Sequence, residues 1–301
     1  LLMNFIYTPA ELSDWAWRVP FVIGGVFGLI SIYLRRFLQE TPVFKKMRES
    51  KALAKFPLEE VVKTSRFGIW ISMFITWVLT GCIVVFILLM PGFVGGVLGF
   101  SPFETTYFQM GGLVCIVSSC WLTGRLADKH NPSTLCILFS AGFAVSSVAF
   151  FSLLYTAAPV VSEVVLAYFA TCFFAGIMNF CPIFMCDVFP ARIRFSGISF
   201  AYNIAYALSG AFTPQLSFAL HAYAKTHPDT LGAMGLSAYI VFLALVSIGT
   251  ALAMRRVYKN GGAAVSDVDV APGDELHVPA FDERAYSARG VSDDALCRGR
   301  Y

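Results

Sequence analysis

The sequence predicts an all-α, polytopic membrane protein, and three observations predict it. The 301 residues are 57% hydrophobic and only 14% charged, whereas a soluble globular chain carries about 25% charged residues. Apolar runs of about 20 residues, the length that carries a helix across a bilayer core, recur along the chain. The connections between those runs alternate between basic and nearly uncharged. A large soluble protein with buried helices would need polar helix faces, which these runs lack.

In chain order the predicted spans are 15–34, 67–90, 104–123, 133–155, 163–186, 197–220 and 233–254. Each is too long and too uniformly apolar for a strand, and backbone in lipid must bond within its own helix. Before the first span, residues 1–8 read like the tail of an earlier one. The sequence opens without Met and shows no signal peptide. Between the first two spans, 35–66 is a long basic loop, expected to be partly helical on the membrane surface. It separates a leftover helix, 1–34, from a six-helix unit, 67–258. The final stretch, 259–301, is acidic, carries Pro and Gly, has no helical period and is predicted to be disordered.

The net charge of +3 divides into −4 over 261–301 and +7 over the remainder. That excess is no nucleic-acid footprint, because its placement follows the spans. Nine basic residues from Arg35 to Arg66 fill the first loop. Arg125 and Lys129 occupy the third connection, Arg192 and Arg194 the fifth, and Arg255, Arg256 and Lys259 follow the last span. PGFVGGVLGFSPF and YTAAPVVSE have no basic residue, and HAYAKTHPDTLG has Lys225 alone. By the positive-inside rule the start lies outside and the C-terminus in the cytoplasm.

Eight cysteines form no CxxC and no ligand spacing with histidine, so they read as small packing residues, with no metal or cofactor expected. His130, His221, His227 and His277 all fall in predicted connections or the tail. An integral-membrane enzyme would need such groups clustered at membrane depth. No enzyme is predicted.

Four stretches carry a family resemblance: WAWRVPF (15–21), RRFLQETPVF (35–44), GRLADKHN (124–131) and FPARIRFSGISFAYNIAYALSGAFTP (189–214). Together they resemble the major facilitator superfamily, in its metabolite:proton symporter branch of bacterial citrate, α-ketoglutarate, shikimate and proline or betaine carriers. The resemblance covers roughly 1–258 and implies the C-terminal half of a twelve-helix fold. It implies a multi-pass transporter of the bacterial inner membrane that carries a small metabolite with a proton by alternating access. An organic acid is the first expectation. A proline- or betaine-type osmolyte, or a non-transporting fragment, is the alternative. The implied partners are the substrate, a proton, the lipid bilayer and an N-terminal half.

GRLADKHN looks like the second copy of the superfamily's loop motif. Gly124, Asp128 and Lys129 match, Arg125 lies within it, Asn131 replaces a later glycine and Pro132 a basic residue. Asn131 is expected to keep a tight left-handed turn. Asp128 is expected either to cap a neighbouring helix N-terminus or to pair with Arg192 or Arg194, and so to bias which side of the transporter is closed.

Polar residues inside spans are the candidates for substrate binding. Pro182 removes a backbone donor and should kink its helix at Met178, one turn from Asn179. Asn179 then has two readings, a ligand or a hydrogen bond to a neighbouring helix. In the sixth span Asn203, Ala207, Gly210 and Pro214 share one face, which reads first as helix packing with a second kink, and Tyr202 and Tyr206 share another. The second span offers Trp77 and Thr80. No Lys, Arg, Asp, Glu or His lies mid-span, so the resemblance implies a proton carrier in helices outside this sequence.

Overall fold

The computed structural model describes residues 3, 6–37, 57–156, 158–227 and 230–259. Residues 38–56 of the basic loop and 260–301 of the acidic tail lie outside the described residues, and with them much of the surface helix expected in the loop and the disorder expected of the tail. The chain divides into two compact units, Leu1–Leu53 and Ala54–Tyr301, so the division falls inside the predicted loop. All regular structure among the described residues is helical.

In the first unit α1 (Pro9–Asp14) opens with a capping box. Thr8 Oγ1 accepts from the Glu11 amide, and the Glu11 carboxylate accepts from the Thr8 amide at 2.8 Å. The backbone bond from Thr8, then that from its hydroxyl, holds the exposed Glu11 carboxyl below its usual range. A single 3₁₀ turn, Ala16–Arg18, leads into α2 (Val19–Arg35).

The second unit begins with the short α3 (Pro57–Thr64), whose Val61 is fully buried. The first long run, predicted as one span ending at residue 90, is three pieces. These are α4 (Arg66–Cys82), a π-helical segment Ile83–Leu89, and α5 (Met90–Leu98), which continues into the predicted connection. Pro91 has no amide to offer the Ile87 carbonyl four residues back. That carbonyl is satisfied from a neighbour instead: Gln109 Nε2 donates to it at 2.7 Å. The Phe86 carbonyl accepts the Tyr168 hydroxyl at 2.8 Å. The wide π turn thus has two carbonyls bonded by other helices, as a broken helix in hydrocarbon requires. Gly99, in the left-handed region at φ 69°, ends α5.

Helices α6 (Pro102–Ala127) and α7 (Pro132–Leu154) follow. The fifth predicted span is again broken, into α8 (Val161–Phe174), a 3₁₀ segment Ala175–Asn179, and α9 (Phe180–Val188). The departure from α geometry lies just before Pro182, across the carbonyl of Met178 that Pro182 cannot reach. At Gly176 an added Cβ would lie 2.1 Å from Ser119 Oγ, so only glycine permits this approach of the 3₁₀ segment to α6. The last two helices are α10 (Arg194–Thr226), which runs through Pro214 without interruption, and α11 (Thr230–Lys259). Helix α10 outruns its predicted span, so His221 and Lys225 are helical residues and not connection residues.

Among the described residues six helical stretches are long and apolar enough to cross a membrane: Ala16–Arg35, Arg66–Leu98, Pro102–Ala127, Pro132–Leu154, Val161–Val188 and Met234–Lys259. Helix α10 is long enough at 33 residues but is not among the six. Its buried row recurs every fourth residue: Gly197, Ala201, Ala205, Ser209, Thr213 and Ser217. That row of small side chains lets α10 pack closely on α4, its main neighbour. Helix α11 packs chiefly on α7. The core divides into one aromatic cluster around Phe86, Phe143, Phe150 and Tyr168, and another around Ile75, Phe180, Phe184 and Phe189.

Candidate functional site

Hydroxyl and amide groups on a helix in hydrocarbon have two ways to be satisfied: back onto their own backbone or across to a neighbour. The candidate residues divide along that line. Thr80 Oγ1 donates to the Thr76 carbonyl at 2.9 Å and is buried. Asn203 is exposed, and its Nδ2 donates to the Ser199 carbonyl at 2.7 Å. Asn179 reaches across: its Nδ2 donates to the Cys120 carbonyl and to Thr123 Oγ1 on α6, both at 3.2 Å. Of its two readings, the hydrogen bond to a neighbouring helix is the one formed here. The same amide lies against Gly124, where an added Cβ would be 3.5 Å away.

Trp77 stands at the centre of a polar chain that the sequence reading did not include. Its indole N–H donates to Tyr239 Oη at 3.4 Å. Tyr239 and Thr213 hydroxyls are 2.7 Å apart, Thr213 and Ser209 hydroxyls 3.4 Å apart, and Ser209 donates to the Trp77 carbonyl at 3.5 Å. The chain ties together α4, α10 and α11. Its sequence signal was the four-residue spacing of Ser209 and Thr213, although nothing in the spacing pointed to Tyr239.

The opposite side of α10 is open. Asn203, Ala207, Leu208, Phe212 and Tyr206 are exposed, and Tyr206 stacks on the half-buried Tyr202 with centroids 5.4 Å apart. Phe212 meets Trp77 edge-on at 6.1 Å. The structure therefore brings Trp77 to α10 and pairs the two tyrosines. Asn179 bonds to α6 and Thr80 to its own helix.

At the end of the bundle that holds the connections 127–132 and 188–194, the charged residues are engaged locally. Arg192 pairs with Glu60 of α3, a partner outside the sequence expectation. Arg194 Nε donates to the Phe189 carbonyl at 3.1 Å. The Arg125 guanidinium lies over the Trp121 ring at 4.6 Å. Tyr258 Oη donates to Asp187 at 2.7 Å. Asp128 is the C-cap residue of α6, with Lys129 in the turn after it. Asn131 differs from its expected left-handed turn: its backbone is extended, at φ −61° and ψ 119°, and its side chain caps α7 by accepting from the Ser133 amide at 2.9 Å. Proline at N1 favours that cap geometry.

Among the described residues no three His, Cys, Asp or Glu side chains gather into a metal site. The arrangement offers aromatic faces, amides and hydroxyls.

Comparison with known proteins agrees with this architecture. An inner membrane metabolite transport protein of Escherichia coli K12, YhjE, is 28% identical over 250 residues, covering 78% of this chain and 53% of its own. A citrate-proton symporter of Klebsiella pneumoniae is 26% identical over 228 residues, covering 73% and 49%. A Staphylococcus haemolyticus protein, named provisionally as a proline/betaine transporter, is 23% identical over 216 residues, covering 71% and 45%. The chain thus spans about half the length of these relatives. No solved structure matches it. The Major Facilitator Superfamily profile matches residues 4–214, and with most of its length so covered this multi-pass membrane chain belongs to that superfamily of transporters, not to an enzyme family.

Proposed function

We propose that the chain forms the C-terminal part of a secondary active transporter that moves a small organic acid together with a proton across the bacterial inner membrane by alternating access. The observation that carries this reading is α10. A helix of membrane length that is not among the six apolar spans, and that sets Asn203 and the Tyr202–Tyr206 stack among exposed apolar side chains, suits the amphipathic wall of a path for a polar solute. The similarity to a citrate-proton symporter supports the acid and the proton. In this reading Trp77, Tyr202, Tyr206 and Asn203 line the path, with Asn179 and Thr80 supporting it from behind. Gly124, Arg125, Asp128, Lys129, Arg192 and Arg194 form the closing contacts at the cytoplasmic end, and the C-terminus is cytoplasmic. Helices equivalent to the other half of the relatives complete the path and supply the ionisable proton carrier.

A second reading, transport of proline or betaine, is favoured by one observation. Stacked tyrosine rings form a surface that attracts a quaternary ammonium group by cation–π interaction. One experiment separates the two. The chain, alone and together with an N-terminal half taken from a relative, is placed in liposomes and offered labelled di- and tricarboxylates, proline and betaine, with and without a pH gradient. Gradient-driven carboxylate uptake that falls about tenfold in Tyr206→Ala is expected. Uptake of betaine alone would replace the first reading with the second, and no uptake in any form would end both.

A further inference from the structure

We propose that His221 is a proton-binding site that latches the half-helix α5 to the bundle when neutral and releases it when charged. His221 lies in the last two turns of α10, at the end of the bundle opposite Arg192 and Arg194. Its ring is sandwiched into a contact of three helices. Phe93 of α5 stacks on it at 4.1 Å with the planes 8° apart. The hydroxyl of Tyr155, the buried residue that closes α7, lies 2.5 Å from His221 Nδ1. Phe218, on α10, meets Phe93 edge-on at 5.6 Å.

The chemistry of that contact depends on one proton. A neutral imidazole has one acceptor nitrogen, and in the Nε2–H tautomer that nitrogen is Nδ1, to which the tyrosine hydroxyl would donate. An imidazolium has two donors and no acceptor. The Tyr155 oxygen must then turn to accept, and its own proton must find a new acceptor. Charge adds to the disturbance. Lys225, one turn further along α10, places Nζ against α5, 3.3 Å from where a Cβ on Gly96 would stand. Tyr155 from α7 and Lys225 from α10 are the titratable or charged groups set against His221 among the described residues. The α5 sequence, MPGFVGGVL, contributes none. Histidine is the side chain whose ordinary pKa allows such a change between about pH 5 and 8.

What the latch holds is a short helix that carries Met90, Phe93 and Val94 into the aromatic core, so release would loosen those contacts too. Helix α5 is separated from α4 by the π segment, where Gln109 and Tyr168 supply bonds from outside the helix. The inference goes beyond the transport reading, and only its consequence for uptake rests on that reading.

The test uses the full chain in lipid nanodiscs with ¹⁵N-labelled histidine, the His221 signals being assigned by their loss in His221→Gln. Above its midpoint His221 should show the Nε2–H tautomer with Nδ1 accepting. Tyr155→Phe should raise the midpoint by about half a pH unit. Amide exchange over residues 90–98, corrected for intrinsic pH dependence, should quicken about three- to tenfold below the midpoint. In His221→Gln, which keeps an acceptor but cannot charge, that acid response should vanish. An unchanged midpoint in Tyr155→Phe, or an acid response that persists in His221→Gln, would overturn the latch. Neither readout needs transport, so a failed uptake panel leaves this question to be decided on its own terms.

Discussion

Phe189 sits where three constraints meet. It is fully buried, its carbonyl accepts from Arg194, and its ring fills the space above two glycines. A Cβ at Gly68 would come within 2.9 Å of that ring and one at Gly197 within 2.6 Å. The ring therefore wedges α4, α10 and the end of α9 together. Phe189→Ala should lower stability by about 3–5 kcal/mol, the cost of an aromatic cavity that the glycines cannot refill. Denaturant titration in mixed micelles measures this, and a loss below about 1 kcal/mol would contradict the wedge. At this scale the sequence was legible in part. FPARIRFSG stood out by its family resemblance, but Arg192's partner, Glu60, is 132 residues away. A one-dimensional reading has no access to such a pair. Polar residues within spans were equally visible, but the turn of Thr80 and Asn203 onto their own backbones depends on rotamers, which composition does not encode.

The helices record a different balance. Two of the predicted spans are broken, and each break has a proline beside it. Pro182 was readable as a break because its neighbours were already assigned to a span. Pro91 lay in a stretch read as a connection, so the π segment before it went unforeseen. The compensation is the informative part, since the carbonyls of Phe86 and Ile87 bond to Tyr168 and Gln109. Gln109→Leu should leave a carbonyl unsatisfied in a poorly hydrated setting and cost about 1–3 kcal/mol. Tyr168→Phe should cost about the same while keeping its stack on Phe108, at 4.0 Å. If the two bonds act independently, the double variant should lose the sum of the single losses within about 0.5 kcal/mol. A loss well short of the sum would show that the π segment relaxes as a unit once one bond is gone. Equilibrium unfolding of the four proteins gives all three numbers.

For the whole molecule, six of the seven predicted spans coincide with helices long and apolar enough to cross a membrane, because a lipid solvent leaves few alternatives to the helix, and 197–220 is the exception. The ends of the helices were not legible, since capping residues such as Asn131 and the reach of α10 to Thr226 are set by neighbours. The proposed orientation rests on the distribution of Arg and Lys and is open to direct test. In a background with the exposed Cys186 replaced by Ser, His130→Cys should resist a membrane-impermeant thiol reagent in intact cells, while Thr156→Cys should react. The reverse pattern would invert the assignment of every connection. One further consequence lies in the buried row on α10. Side chains from Gly197 to Ser217 present an almost smooth edge to α4, with no large knob to fix how deep one helix sits beside the other. The polar stops along that edge are then two, Ser209 on the Trp77 carbonyl of α4 and Thr213 on the α11 hydroxyl of Tyr239, which itself accepts from the Trp77 indole, and losing both would leave only rings to hold the two rods in step.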